Sequence, residues 1–269
     1  MDQPETPRVE PPLPPAGAPT VPPPMAAFGP KQAFAVIGVH FGAQMGVGFV
    51  VALVGVFALT LRSAMGGHLI NPSRLPAGLL MVAFVVSFAI GGGGAIAMSL
   101  IWRRGRLHSG EPTGFGLVRP AAHTIFAGVA AAIILALAFR FVAPRLVPFD
   151  SGTKLGPVTS AALVSPAARA LWIALALLIA PPLEEYLFRG VLLAGMRARF
   201  STLASAATVT AIFVVGHATE AIAYWPAFLA IAGLGALTAG LRIWSGSILP
   251  GLAAHVAYNL VVVAAAVGF

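Results

Sequence analysis

Glu184, Glu185 and Glu220 are the acidic residues of this chain that fall inside long apolar stretches; Asp2, Glu5, Glu10, Glu111 and Asp150 fall outside them. A carboxylate near the centre of a membrane span costs roughly 2.5 kcal/mol or more, so two adjacent ones demand partners or a water-filled cavity and mark a functional site by default. Glu185 and Arg189 stand four residues apart, which places them on one helix face with the acid on the N-terminal side, the favoured order for an ion pair. Glu184 projects about 100° away around the helix and is left to face polar groups on other elements. The spacing therefore assigns Glu185 and Arg189 to structure and Glu184 to chemistry. Phe213-x-x-x-His217 and His255-x-x-x-Asn259 follow, each putting two side chains on one helix face. A lone histidine in a membrane helix is more often an interhelical hydrogen-bonder, so neither pair is informative alone. Together they describe a chemistry: a carboxylate and an imidazole sharing a water act as general base and proton shuttle. His255 and Asn259 would donate to the oxyanion of a tetrahedral intermediate. That set suffices for amide hydrolysis without a covalent nucleophile. The chain has no cysteine, which removes disulfides, thiolate metal sites and cysteine nucleophiles.

The elements that must position these residues are membrane helices. The 269 residues are 58% hydrophobic and 9% charged, where soluble domains run near 25% charged. Long unbroken apolar runs exclude the alternating pattern of a membrane β-barrel, leaving helices as the spanning elements. The expected fold is all-α, a polytopic transmembrane bundle of about 7–8 spanning helices. The apolar stretches run over about 33–61, 77–102, 121–143, 169–196, 203–222, 226–242 and 248–268, and Pro181-Pro182 kinks or divides the fourth. Residues 1–32 form a Pro-rich tail expected to be disordered, 33–114 a set of N-terminal helices, and 115–269 the catalytic membrane core. The formal net charge of +8 sits mostly between apolar runs, where it orients spans; nucleic acid is not an expected partner. The Arg103–Arg106 cluster favours a cytoplasmic N-terminus. Counted from the cytoplasmic ends, Glu184, His217 and His255 then lie roughly 18, 21 and 12 Å deep at 1.5 Å per residue, so they can meet near mid-membrane.

Glu184-Glu185-x-x-x-Arg189, Phe213-x-x-x-His217 and His255-x-x-x-Asn259, in that order on successive apolar helices, resemble the CPBP family of intramembrane proteases. That group contains the type II CAAX prenyl endopeptidases and the Abi or bacteriocin-immunity proteins. The flanks agree: Phe188-Arg189-Gly190, Gly233-Leu234-Gly235, Ser247 to Pro250, and Phe115 to Pro120 ahead of the core, so that the likeness covers about 115–262. The resemblance implies a glutamate-activated water at Glu184 with His217 as its partner, and an oxyanion site at His255 and Asn259. Glu185, Arg189 and Phe213 support them. It implies no cofactor, with zinc held by Glu184, His217 and His255 as the alternative. The expected partners are membrane lipids and a membrane-associated, lipidated protein or peptide substrate, and the expected location is the cell membrane as a multi-pass protein. The reading from a different class is a non-catalytic immunity or membrane-interaction protein that keeps the polar cluster for folding.

Other features read more plainly. Glu220, three residues after His217, falls outside the family pattern and is expected to sit harmlessly at a helix end. His40 with Gln44, and His123, are expected to serve packing or the membrane interface. Gly38, Gly42 and Gly46 form a small-residue face expected to pack within the bundle.

Overall fold

The structure, a computed structural model, describes residues 28–66, 77–148, 157–163 and 165–268. Most of the expected tail, residues 1–27, lies outside them. The tail's expected boundary moves: α1 begins at Pro30, and Phe28 is already buried against Phe115, ring centroids 5.4 Å apart.

The fold is a bundle of helices, and among the described residues there is no strand. The helices are α1 (Pro30–Gly66), α2 (Ala77–Arg103), α3 (Ala122–Leu146), the short α4 (Pro157–Ala162), α5 (Pro166–Arg197), α6 (Thr202–Gly216), the short α7 (Ala218–Ala223), α8 (Pro226–Ser245) and α9 (Leu249–Val267). Their starts are chemically marked. Proline, whose missing N–H costs nothing in a first turn, opens α5, α8 and α9. Ser165 and Ser201 cap α5 and α6 by accepting hydrogen bonds from Ala168 N (3.1 Å) and Ala204 N (3.3 Å). Gly246, at φ +69°, ends α8 in the left-handed conformation that favours glycine.

Among the described residues six helices are long and apolar enough to cross a membrane: α1, α2, α3, α5, α8 and α9. The chain is a multi-pass membrane protein. The seventh expected span, 203–222, is not continuous. The chain breaks at His217 (φ −110°, ψ 21°), leaving α6 with 15 residues, about 22 Å, less than the ~30 Å of a bilayer core. Of the two outcomes open for the fourth stretch, a kinked single span or a division into two, the chain takes the single span. Pro181 and Pro182 do not split α5; the helix widens into π-helical turns at Leu175–Ile179 and again at Glu185–Leu192 and continues.

α1 packs along α2, α3 against α8 and α9, and α6 on α8, while α5 touches both groups. One apolar core joins α1, α2, α5 and α6 around Val36, Phe88, Leu187 and Phe213. A second joins α3, α8 and α9 around Ala132, Leu234 and Tyr258. The site residues lie on the elements between them.

The glycine face of α1 departs from expectation. A Cβ built on Gly38, Gly42 or Gly46 meets nothing within 4 Å, so this face is not buried in the bundle. The protein stays open there because α2 crosses α1 elsewhere, at Gly91, where a Cβ would come 2.5 Å from the His40 carbonyl oxygen.

Candidate active site

The two glutamates sit where α5 changes register. Both are buried, Glu184 at 8% exposure and Glu185 at 0%. Glu185 Oε1 is ion-paired with Arg189 Nη1 at 3.3 Å and accepts from His255 Nδ1 at 3.0 Å. The ion pair expected from the i, i+4 spacing is therefore present, and it has a third member. Arg189, itself fully buried, donates to Gly235 O on α8 (3.2 Å) and lies over the Phe213 ring, 4.3 Å from its centroid. The small residues flanking these motifs now have reasons. A Cβ on Gly251 would come 2.8 Å from Glu185 Oε2, so only glycine lets α9 approach this closely. A Cβ on Gly190 would meet the Phe115 carbonyl oxygen at 3.0 Å.

His255 is 3% exposed and stands between the two carboxylates. Its Nδ1 faces Glu185, and its Nε2 lies 3.8 Å from Glu184 Oε2. Glu184 and Glu185 thus converge on opposite nitrogens of one imidazole instead of serving separate parts of the molecule. An ionised carboxylate only accepts, so Glu185 fixes the His255 proton on Nδ1 and turns Nε2 toward Glu184. The 3.8 Å gap is too long for a direct hydrogen bond.

His217 is the joint between α6 and α7. Its Nδ1 donates to Phe213 O at 2.9 Å. A carbonyl likewise only accepts, so the neutral ring keeps a lone pair on Nε2. Phe213 packs against both histidines, with centroids 4.6 Å from His217 and 5.9 Å from His255, and against Phe188 at 5.2 Å. A single aromatic ring therefore sets the positions of Arg189 and both imidazoles.

Asn259 is engaged differently from expectation. Its Nδ2 donates to Ala176 O at 2.8 Å. The reason lies in α5: in the π register, where Ala180 N bonds Leu175 O, the partner of Ala176 O would be the N–H of residue 181, and Pro181 has none. Asn259 supplies the missing donor and keeps one amide hydrogen free.

Glu184, His217, His255 and Asn259 line one cavity of about 320 Å³. Its walls are otherwise mainly apolar, including Phe84, Phe139, Trp172 and Ile231. Glu220 also reaches it, accepting a short hydrogen bond from the Thr219 hydroxyl at the start of α7. His40 and Gln44, expected to serve packing, line the same cavity from α1. Two polar side chains four residues apart in an apolar run were the available signal, but they carried no sign of which cavity they would face. Among the described residues no group of three His, Asp or Glu side chains converges as a metal site.

At the end of the bundle where the Arg103–Arg106 cluster lies, the segment after α2 is clamped to the α8–α9 junction. Arg242 donates to the carbonyls of Gly110 (3.4 Å), Glu111 (3.2 Å) and Gly114 (2.7 Å). Ile248 N bonds Gly116 O at 2.9 Å, and Ser247 Oγ bonds Val118 O at 2.6 Å. Phe115 is buried against Tyr186, two residues after Glu184.

This assembly of motifs matches a known family over residues 166–261, the one described as type II CAAX prenyl endopeptidase Rce1-like. Over this segment the chain is similar to that family. No curated protein and no solved structure matches it. The matched segment contains Glu184, Glu185, Arg189, Phe213, His217, His255 and Asn259 and leaves out α1 to α4.

Proposed function

We propose that the chain is an intramembrane endopeptidase of the CAAX protease type, hydrolysing a peptide bond with a water activated by Glu184. The observation that carries this reading is the placement of His255 between two buried carboxylates at the wall of a largely apolar cavity, with His217 lining the same space. Glu184 takes a proton from the water, aided by the lone pair on His217 Nε2, and the water oxygen attacks the carbonyl carbon. The resulting oxyanion is stabilised by the free amide hydrogen of Asn259 and by His255 Nε2, which carries a proton taken from solvent before the attack and keeps it through the cycle. Collapse breaks the C–N bond, and the proton on Glu184 passes to the leaving amine. Glu185 and Arg189 hold His255 and do not meet the substrate. The similarity to prenyl endopeptidases and the apolar cavity walls support a prenylated peptide as substrate, reached from the cell membrane.

The donor geometry supports a metal-free site over the zinc alternative. Among the described residues, Glu184, His217 and His255 do not converge as three ligands.

The test is cleavage, by purified protein in detergent, of a fluorogenic peptide ending in a prenylated cysteine and its three C-terminal residues. Glu184→Gln is expected to lower kcat by about 10²–10⁴, the usual contribution of a positioned base, with unchanged thermal unfolding, while a chelator leaves the wild type active. Full activity in Glu184→Gln removes the assignment, loss of activity in chelator restores zinc, and no cleavage by the wild type removes the protease reading.

A further inference from the structure

We propose that α1, which lies outside the matched segment, supplies a substrate-binding group to this cavity: the carboxamide of Gln44, held in place by His40. The inference rests on the protease reading and extends it to the substrate backbone.

His40 is 2% exposed in an otherwise apolar helix, its ring packed against Phe41 and Phe88 with centroids 5.3 Å away in each case. Burying an imidazole among aromatic rings is costly unless it is hydrogen-bonded. Gln44 provides that bond, its Nε2 donating to His40 Nε2 at 2.7 Å. The bond fixes the otherwise flexible Gln44 side chain and uses one of its two amide hydrogens. Left over are one N–H and the whole Oε1 acceptor, on a residue that is only half-buried and lines the cavity with Glu184 and His217. A donor and an acceptor on one planar amide are the complement of a peptide group, whose N–H and C=O can be bonded at once.

The surrounding elements are shaped to permit this. Gly91 on α2 has no side chain, and a Cβ there would stand 2.5 Å from His40 O and 3.4 Å from Gln44 Cγ. Any larger residue would push α1 away from the cavity. Beside it, Gly92 gives room to the Leu183 side chain, the residue preceding Glu184. The same pair of helices therefore sets the distance from the Gln44 amide to the attacking group.

Gln44 thus acts as a substrate-binding residue and His40 as a positioning residue. The fluorogenic prenylated peptide is the probe, in full-length protein. Gln44→Leu is expected to raise KM about three- to tenfold, the range for one lost neutral hydrogen bond, with kcat within about twofold. His40→Ala should reproduce the KM effect by freeing Gln44, and His40→Asn, which can still accept from the amide, should recover part of it. Because KM equals Kd only when chemistry is slow, binding of the same peptide to the Glu184→Gln protein is measured alongside and should weaken in Gln44→Leu by the same factor. If Glu184→Gln is inactive but Gln44→Leu binds and cleaves as wild type, this inference alone is overturned. If Gln44→Leu loses kcat with KM unchanged, binding is again the wrong role. If Glu184→Gln retains activity, or the wild type cleaves nothing, the protease reading falls and this one with it.

Discussion

Glu185 is the residue on which the site's geometry depends. One oxygen serves a buried guanidinium and a buried imidazole at 3.3 and 3.0 Å, so its charge both neutralises Arg189 and sets the tautomer of His255. Removing one partner of a buried pair leaves the other charge uncompensated, which costs about 3–5 kcal/mol. Glu185→Gln preserves shape and removes the charge. It is expected to lower the unfolding temperature in detergent clearly below that of the Glu184→Gln protein, and to abolish cleavage as well. Equal unfolding temperatures for the two variants would mean that Glu185 and Arg189 do not form the structural pair. Glu184 and Glu185 are chemically identical and adjacent, so this contrast isolates the effect of environment.

At the scale of the element, α5 and α9 are joined by a hydrogen bond that exists because of a proline. Pro181 cannot serve Ala176 O, and Asn259 does so from across the helix interface at 2.8 Å. Asn259→Ala would leave that half-buried, cavity-lining carbonyl without its donor, costing about 1 kcal/mol. The expected outcome is a less stable, less active protein. Pro181→Ala restores a backbone N–H at the position the π register needs. In the Asn259→Ala background it should recover stability, while alone it should change stability little. A double-mutant cycle measured by thermal unfolding reads this directly, and additive effects would show that the two residues are not coupled.

Across the whole molecule, one end of the bundle carries an excess of basic residues, nine Lys and Arg by sequence against six at the other. Phe28 and Gly29 approach Gly195, Arg242 binds the carbonyls of Gly110, Glu111 and Gly114, and Phe115 packs on Phe28, so one end gathers the start of α1, the segment after α2, the end of α5 and the α8–α9 junction. Lys31, Arg103, Arg104, Arg106, Arg197 and Arg199 belong to this end by sequence. The opposite end brings Tyr224 to Val147 O at 2.9 Å. An excess of Lys and Arg in short loops marks the cytoplasmic side. The chain has no cysteine, so single cysteines report sidedness cleanly. Glu111→Cys and Arg199→Cys should react with an impermeant thiol reagent only when it reaches the cytoplasmic face, and Trp225→Cys only from the other. The reverse pattern would invert the topology.

The residue types of the site, their order along the chain and the membrane class of the fold were all legible in the sequence. Each rests on local spacing or on the energy of putting charge in lipid, and neither needs a partner to be known. The ion pair of Glu185 with Arg189 was legible for the same reason, since four residues make one helical turn. What only the tertiary structure decided depends on backbone departures from regular helix and on contacts between distant segments. The break at His217 shortened an expected span, the approach of α9 gave His255 two carboxylates, and Pro181 claimed the amide of Asn259. The approach of α1 at Gly91 carried His40 and Gln44 into the cavity, because which helix faces which is set by interhelical packing among many apolar surfaces that look alike in sequence.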